Sequence, residues 1–440
     1  LCLPLIANAR QPIDRILLPR DLSDRSEFGN ALAVNDRWIA VGDHNAEGEK
    51  GVVTIYSAIT GRRVRELRAP DAADGDNFGA SLSLCGNKLL IGAPESGNHM
   101  GAAYLMDVLS GRLIHRFQAS PAVSDDLFGS SVALSDRYVL IALPGRNDGK
   151  GLVEIYETLS GEYEEKLDPM DLAANDAFGS SLALSGQLAL VGAPFEGNNE
   201  GAAYLFDLRA RQLLRKLVSP NRAAGRLFGY DVALDGDRAV VGEPGNGPGG
   251  KAYFFDLQSN GAGVEFPDSA GSFGNQVELD GGLALIGAPD DETAYLYDVS
   301  RMERLRILTA SDGLNAFGQH VAFRGEQALF GVRSSGGGSV HYIRPLAGPL
   351  PMDTVTQTRN YAPGVIQGDF SRFYQPLINP DGEVFFTAGL TGPGTTGGRN
   401  QGLWTNFQGD LDTVGIVGGS AEIVGPGLKT GRLLRFVSSR

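Results

Sequence analysis

Cysteine is nearly absent from these 440 residues, with only Cys2 and Cys85, so no disulfide framework holds the chain together. Packing must supply the stability instead. No apolar run approaches the roughly 18 residues that a membrane-spanning helix needs. Basic residues are in deficit, 38 against 52 acidic, and the net charge of -14 argues against nucleic acid and anionic membrane surfaces as partners. The five histidines, His44, His99, His115, His320 and His341, are scattered and form no close ligand pair, so zinc and nucleophile-base chemistry have no local signature. The glycine-rich stretch 392–400 (GPGTTGGRN) has the wrong spacing for a phosphate loop. The expectation is a protein that is not an enzyme and binds no cofactor.

Helical periodicity is missing as well. What the chain has instead is a Phe-Gly pair repeated seven times, at Phe28, Phe78, Phe128, Phe178 and Phe228 with a constant 50-residue step, then at Phe273 and Phe317. A period of this size marks one supersecondary unit copied along the chain. After Phe178-Gly179 come the runs SLALS, LALVGAPF, GAAYLFDL and QLLRKLVSP. They read as four strands: a half-buried inner one, a second buried on both faces, a third, and a half-exposed outer one. Two-residue links such as Asn35-Asp36 and Ser185-Gly186, and turns such as Thr60-Gly61, make each unit an antiparallel meander. Seven such units predict an all-β chain folded as a seven-bladed β-propeller. The seventh copy runs into Pro345 without a fourth strand, and Ile16-Leu17-Leu18-Pro19 lies at the right spacing to supply it. An N-terminal strand is therefore expected to close the ring, which removes an exposed edge.

Phe-Gly followed after about a dozen residues by Gly-Ala-Pro, at Gly92-Ala93-Pro94, Gly192-Ala193-Pro194 and Gly287-Ala288-Pro289, resembles the FG-GAP repeat of integrin α-subunit propellers and of bacterial secreted proteins. Degraded versions stand at Val41-Gly42-Asp43, Ala142-Leu143-Pro144, Gly242-Glu243-Pro244 and Gly331-Val332-Arg333. The resemblance implies a secreted or cell-surface binding or adhesion scaffold. Integrin propellers hold calcium in the hairpin between the first two strands. Here those hairpins, such as Val34 to Arg37, are too short to wrap an ion that wants six to eight oxygens.

Acidic residues gather elsewhere, in the linkers that lead into each Phe-Gly. Asp74, Asp76 and Asn77 form the best candidate for a weak calcium site. The linkers and the loops between second and third strands emerge on one face, where variable loops on a rigid scaffold carry recognition. Asp71, Asp125, Asp126, His44, His99, Asp290 and Asp291 are the candidate ligand-face residues, and a protein or glycan is the expected partner of a monomeric propeller. Asp107, Asp207, Asp256 and Asp298, which end third strands, read as turn caps. Ser81, Ser131 and Ser181 recur at one repeat position, which is what packing produces and a single catalytic centre does not.

Four segments are expected. Residues 1–9, apolar and then Ala7-Asn8-Ala9, read as the remnant of a signal peptide, pointing to export from a bacterium. Residues 10–344 are the propeller and 345–352 a linker. In 353–440, Asn379-Pro380-Asp381-Gly382 with Phe386, followed by Leu390-Thr391-Gly392 and Gly402-Leu403-Trp404, resembles the Asn-x-x-Gly-x-x-x-Phe tandem repeats of anchored bacterial surface proteins. Asp353-Thr354-Val355 recurs as Asp412-Thr413-Val414, so an incomplete second copy is expected, and the chain reads as part of a longer surface protein. The alternative function is a structural spacer or the accessory propeller of a larger extracellular hydrolase.

Overall fold

The computed structural model describes residues 13–17, 26–245, 249–309, 318–325, 327–334 and 337–344, and in the C-terminal part the strands Asp369–Phe373, Leu377–Ile378, Val384–Thr391, Gln401–Phe407 and Asp410–Ile416. The candidate signal peptide, Phe317, the 345–352 linker and the Asn379 to Gly382 turn lie outside the described residues. The chain divides into two compact units, 1–347 and 348–440.

The first unit contains seven four-stranded antiparallel sheets. Blade one is typical: Ala31–Val34, Trp38–Asp43, Val52–Ser57 and Arg63–Leu67 follow one another in space as in sequence. Its second strand is buried throughout, while its outer strand begins exposed and ends buried at Leu67. That gradient is the one its composition predicts. The seventh blade takes His320–Arg324, Gln327–Ser334 and Gly337–Arg344 from the end of the unit and Ile13–Leu17 from its start. The closing strand lies three residues earlier than Ile16 to Pro19 suggested, pairing Ile13 with Arg344 and Leu17 with Val340. Tyr342 locks the last blade to the first by donating its hydroxyl to the Ala58 carbonyl, 2.6 Å away.

The Phe-Gly pair is the joint between blades. Phe78, Phe128, Phe178, Phe228 and Phe273 are fully buried, and Phe28 nearly so. Phe78 packs on Val53 and Ile55 of blade one together with Leu89, Ile91 and Tyr104 of blade two. The second-strand glycine is required by closeness: a Cβ on Gly192 would lie 2.1 Å from the Gly229 carbonyl oxygen of the next blade, and one on Gly92 would lie 2.0 Å from that of Gly129. The sequence motif is thus one repeated contact between neighbouring sheets.

Hydrogen bonds to side chains strengthen these joints at both radii. Near the axis, Ser81 Oγ donates to the Gly129 carbonyl (2.8 Å) and Ser181 Oγ to that of Gly229 (3.1 Å), which accounts for the serine of blades two and four. At the rim, Arg65 donates to the Leu109 carbonyl and Arg215 to that of Ser259. The aspartates that end third strands cap their turns as expected: Asp107 accepts the Ser110 amide at 2.6 Å and Asp207 that of Ala210 at 2.8 Å.

In the second unit, Asp369–Phe373, Val384–Thr391, Gln401–Phe407 and Asp410–Ile416 form an antiparallel sheet in that order, with Leu377–Ile378 paired to Val384–Thr391.

Candidate functional site

The long-loop face is built from two pieces in each blade, the turn between second and third strands and the linker into the next Phe-Gly. In blades one to four the turn has one shape, at Ala46–Glu49, Ser96–His99, Arg146–Gly149 and Glu196–Asn199. Each places three successive residues at positive φ, for example Gly97 at 63°, Asn98 at 66° and His99 at 60°. Glycine and asparagine recur there because they tolerate this region. The turn carbonyls accept linker amides: Asn77 N–H donates to Glu49 (2.8 Å), Leu127 to His99 (3.0 Å) and Ala177 to Gly149 (2.8 Å). These loops are therefore repeated docking pieces, where the sequence suggested variable ones.

The acidic linker residues divide into distinct jobs. Asp76, Asp126 and Asp176 are buried, and each accepts an amide three residues back, from Ala73 (2.8 Å), Val123 (3.0 Å) and Ala173 (2.6 Å). Blade one has Ser26 at this linker position and puts the carboxylate on the second strand instead: Asp43 accepts from the Ser26 hydroxyl and, at 2.9 Å, from the Glu27 amide. In blade six Asp291 plays the part, accepting the Gly271 amide at 2.8 Å, while Ser272 donates to Asp290. In blades one to four and in blade six one carboxylate thus secures the linker, delivered from either side of the same joint. Blade five departs from this rule. Arg226 occupies the linker position and Glu243 the strand position; Glu243 is fully buried, with the Ser219 hydroxyl beside its carboxylate and the Arg226 guanidinium 4.0 Å away. Burial raises its pKa above the usual carboxylate range.

Asp71 belongs to a second repeated device. It accepts from the Tyr104 hydroxyl and from Arg116 Nε, both at 2.8 Å. Burial works against its charge, but Tyr104 and Arg116 hold its pKa below the ordinary value. The same contacts recur at Asp171, with Tyr204 (3.2 Å) and Lys216 (2.6 Å), and at Asp268, with Tyr297 and Arg304. The signal for these triads was present in the sequence as an aspartate just beyond the fourth strand of one blade, then a tyrosine in the third strand and a basic residue in the fourth strand of the next.

The remaining candidates are placed as follows. Asp126 pairs with Arg146, and its pKa is nevertheless raised by burial. Asp125 is exposed. His44 Nε2 is 3.2 Å from Glu27, and His99 contacts Glu95. Asp74 has a side chain 82% exposed and 3.3 Å from Lys50. Asn77 adopts φ 58°, with its Oδ1 buried and unpaired. Asp74 and Asp76 are not brought together: one faces solvent while the other faces the linker backbone. Among the described residues no three His, Cys, Asp or Glu side chains gather in a way that could hold a metal ion.

Sequence reasoning missed the apolar part of this face. Met170 is fully exposed, and Val123, Phe195 and Tyr230 are 48%, 41% and 40% exposed, all in linkers or turns of blades three to five. Side chains of this kind left in water are candidates for partner contact.

Among the described residues no helix is long and apolar enough to cross a membrane. No curated protein matches the chain. Residues 302–438 match a family described as a family of unknown function (DUF7453), which begins at the outer strand of blade six, takes in the chain of blade seven and continues into the second unit. Residues 62–106, 162–206 and 213–255 match the FG-GAP repeat. The first two matches start at the outer strand of one blade and end in the third strand of the next, so each sequence repeat straddles a joint. With the seven closed sheets, these matches make the first unit a seven-bladed β-propeller of FG-GAP repeats.

Proposed function

We propose that this protein is a non-enzymatic binding scaffold, secreted or held at a bacterial cell surface, that recognises a protein through the long-loop face of its propeller. The observation that carries the reading is the exposed set Val123, Met170, Phe195 and Tyr230, mounted on turns whose backbone is fixed by repeated hydrogen bonds. Rigid loops that present apolar side chains lose little entropy on binding. Asp74 and Asp125 add exposed negative charge beside them, which favours a basic or polar partner surface over an anionic one. A glycan is the second ligand class, served by the same exposed aromatic rings. The second unit is proposed to act as a repeat of the kind found in anchored surface proteins.

The test is a panel of immobilised extracellular proteins and glycans probed with the intact chain. Met170→Asp combined with Phe195→Asp should abolish capture, whereas Asp36→Ala with Asp237→Ala on the hairpin face should leave it intact. Capture that survives the first pair and fails with the second would place recognition on the other face. Turnover of a glycan or peptide on the panel would overturn the non-enzymatic reading.

A further inference from the structure

One joint of the ring lacks the side chain that braces its neighbours. Arg65, His115, Glu165 and Arg215 occupy the same place, the middle of the outer strand, in blades one to four. From there Arg65 donates to the carbonyl of Leu109 in the outer turn of the next blade, His115 Nε2 lies 3.0 Å from that of Leu159, and Arg215 donates at 2.8 Å to that of Ser259. The Arg215 guanidinium also lies over the Phe255 ring, 6.0 Å from its centroid. Glu165 cannot follow them, because a carboxylate has no proton to donate to a carbonyl.

Between blades three and four a cleft of about 240 Å³ stands open. Its floor is Ile155, Leu167, Phe206 and Leu208, all buried. Glu165 and Arg211 also line it, 3.3 Å apart, with the Arg211 side chain 59% exposed and that of Glu165 37%. The turn has changed together with the strand. Gly111 and Gly161 hold the place of Arg211 in blades two and three, where a Cβ would lie 2.3 Å from Arg65 Nη1 and 2.7 Å from His115 Nδ1. Without a brace that space is free, and Arg211 takes the position at φ 56°, a conformation that disfavours any residue with a side chain.

The other joints show what fits such a groove. The four floor positions are Ile55, Leu67, Met106 and Val108 at the joint braced by Arg65, and Leu205, Leu217, Phe255 and Leu257 at the one braced by Arg215. An arginine lays its apolar stem along a floor of this kind and keeps its charged head at the wet edge. In the open cleft Phe206 stands at the place of Phe255 and offers a ring to a cation. Glu165 offers a carboxylate whose present ion pair is exposed and therefore weak. Asp168, also in the cleft, is already taken by Lys150 at 2.7 Å and Lys166 at 3.2 Å.

We propose that the cleft between blades three and four binds an arginine side chain of the partner protein, which supplies from outside the brace that this joint lacks. Its guanidinium lies over Phe206, pairs with Glu165 and donates to the Arg209 carbonyl in the turn. The proposal rests on the reading of the propeller as a scaffold for a protein partner, and Met170, which lines the cleft and belongs to the exposed apolar set, joins the two. The net charge of -14 favours the approach of a basic segment.

Saturation-transfer NMR on the full chain, with acetyl-Gly-Arg-Gly-amide as the probe, tests this. The arginine methylenes should receive magnetisation, and the citrulline peptide, which keeps the shape and loses the charge, should bind at least about tenfold more weakly. Glu165→Arg, which restores the internal brace, should abolish binding in a chain that still melts cooperatively. Arg211→Gly, which restores the turn of blades two and three and removes the competing guanidinium, should tighten binding severalfold. Undiminished binding in Glu165→Arg, no gain in Arg211→Gly, or equal binding of the citrulline peptide or of acetyl-Gly-Leu-Gly-amide would overturn the proposal. Should Glu165→Arg not fold, the other comparisons decide. A panel protein captured through Met170 and Phe195 but indifferent to Glu165→Arg would overturn the arginine cleft and keep the scaffold.

Discussion

Replacing Phe178 by alanine tests the idea that the Phe-Gly pair is the joint of the propeller. The ring is fully buried, with its centroid 5.5 Å from that of Tyr204 and 6.1 Å from that of Phe206, both edge-on. Its loss removes about 2 to 3 kcal/mol of transfer free energy before any cavity is counted. The surroundings have little freedom to collapse. Phe178 N–H is bonded to Lys150 O at 3.0 Å and Gly179 N–H to Gly192 O at 2.9 Å, which fixes the backbone on two neighbouring sheets. A largely unrelaxed cavity puts the total near the middle of the range for such changes, about 4 kcal/mol. Denaturant unfolding followed by circular dichroism should show a shifted midpoint with an unchanged slope. Leu159→Ala, at a residue 71% exposed, should change stability by less than about 0.5 kcal/mol in the same assay. A loss below about 1.5 kcal/mol for Phe178→Ala would mean that the ring is not the joint.

Deleting residues 10–20 should remove the outer strand of blade seven, broaden the thermal transition and lower its midpoint, and calorimetry that shows an unchanged melt would rule out closure by this strand. Asp74→Ala should leave stability nearly unchanged, whereas Asp76→Ala, which strips a buried cap, should lower it by about 1 to 3 kcal/mol; equal effects in chemical denaturation would contradict their assigned places. Calcium titration of the same two variants by calorimetry separates a cation role from a structural one, because loss of a binding heat in Asp74→Ala without loss of stability would assign the ion to that side chain. Asp71 is held below its ordinary pKa, so its contribution to stability is present above the unfolded value near 4 and is lost as pH falls through the folded one; Asp71→Asn should flatten that acid limb.

The architecture was legible because it is written in strict repetition: the Phe-Gly step gave the blade count, and the gap after Ile343 gave the closure. The closing strand begins at Ile13, directly after Pro12 and three residues before Ile16, where the copies laid on one another would start it. The candidate site was less legible for a specific reason. Whether an aspartate faces solvent or caps a linker depends on a joint between residues about 20 apart, such as Asp126 with Arg146 or Gly271 with Asp291, and the carboxylate moves from one side of that joint to the other between blades. Asp76 and Asp74 look alike in the sequence and do unlike things in the fold. The exposure of Met170 and Phe195 was not legible, because an apolar residue in a polar loop either packs inward, as Leu172 does, or faces water, and only the fold decides which.

The pairing of Ile13 with Arg344 has a mechanical consequence. The chain enters the propeller and leaves it at adjacent positions on the hairpin face, so a pull on the two ends acts on one end of a single antiparallel ladder. Such a load breaks the ladder pair by pair, from Ile13 towards Leu17, instead of shearing all its bonds at once. The ring would therefore open at low force through one peeled strand, with six blades still whole behind it, and would close again by zippering once the tension is released.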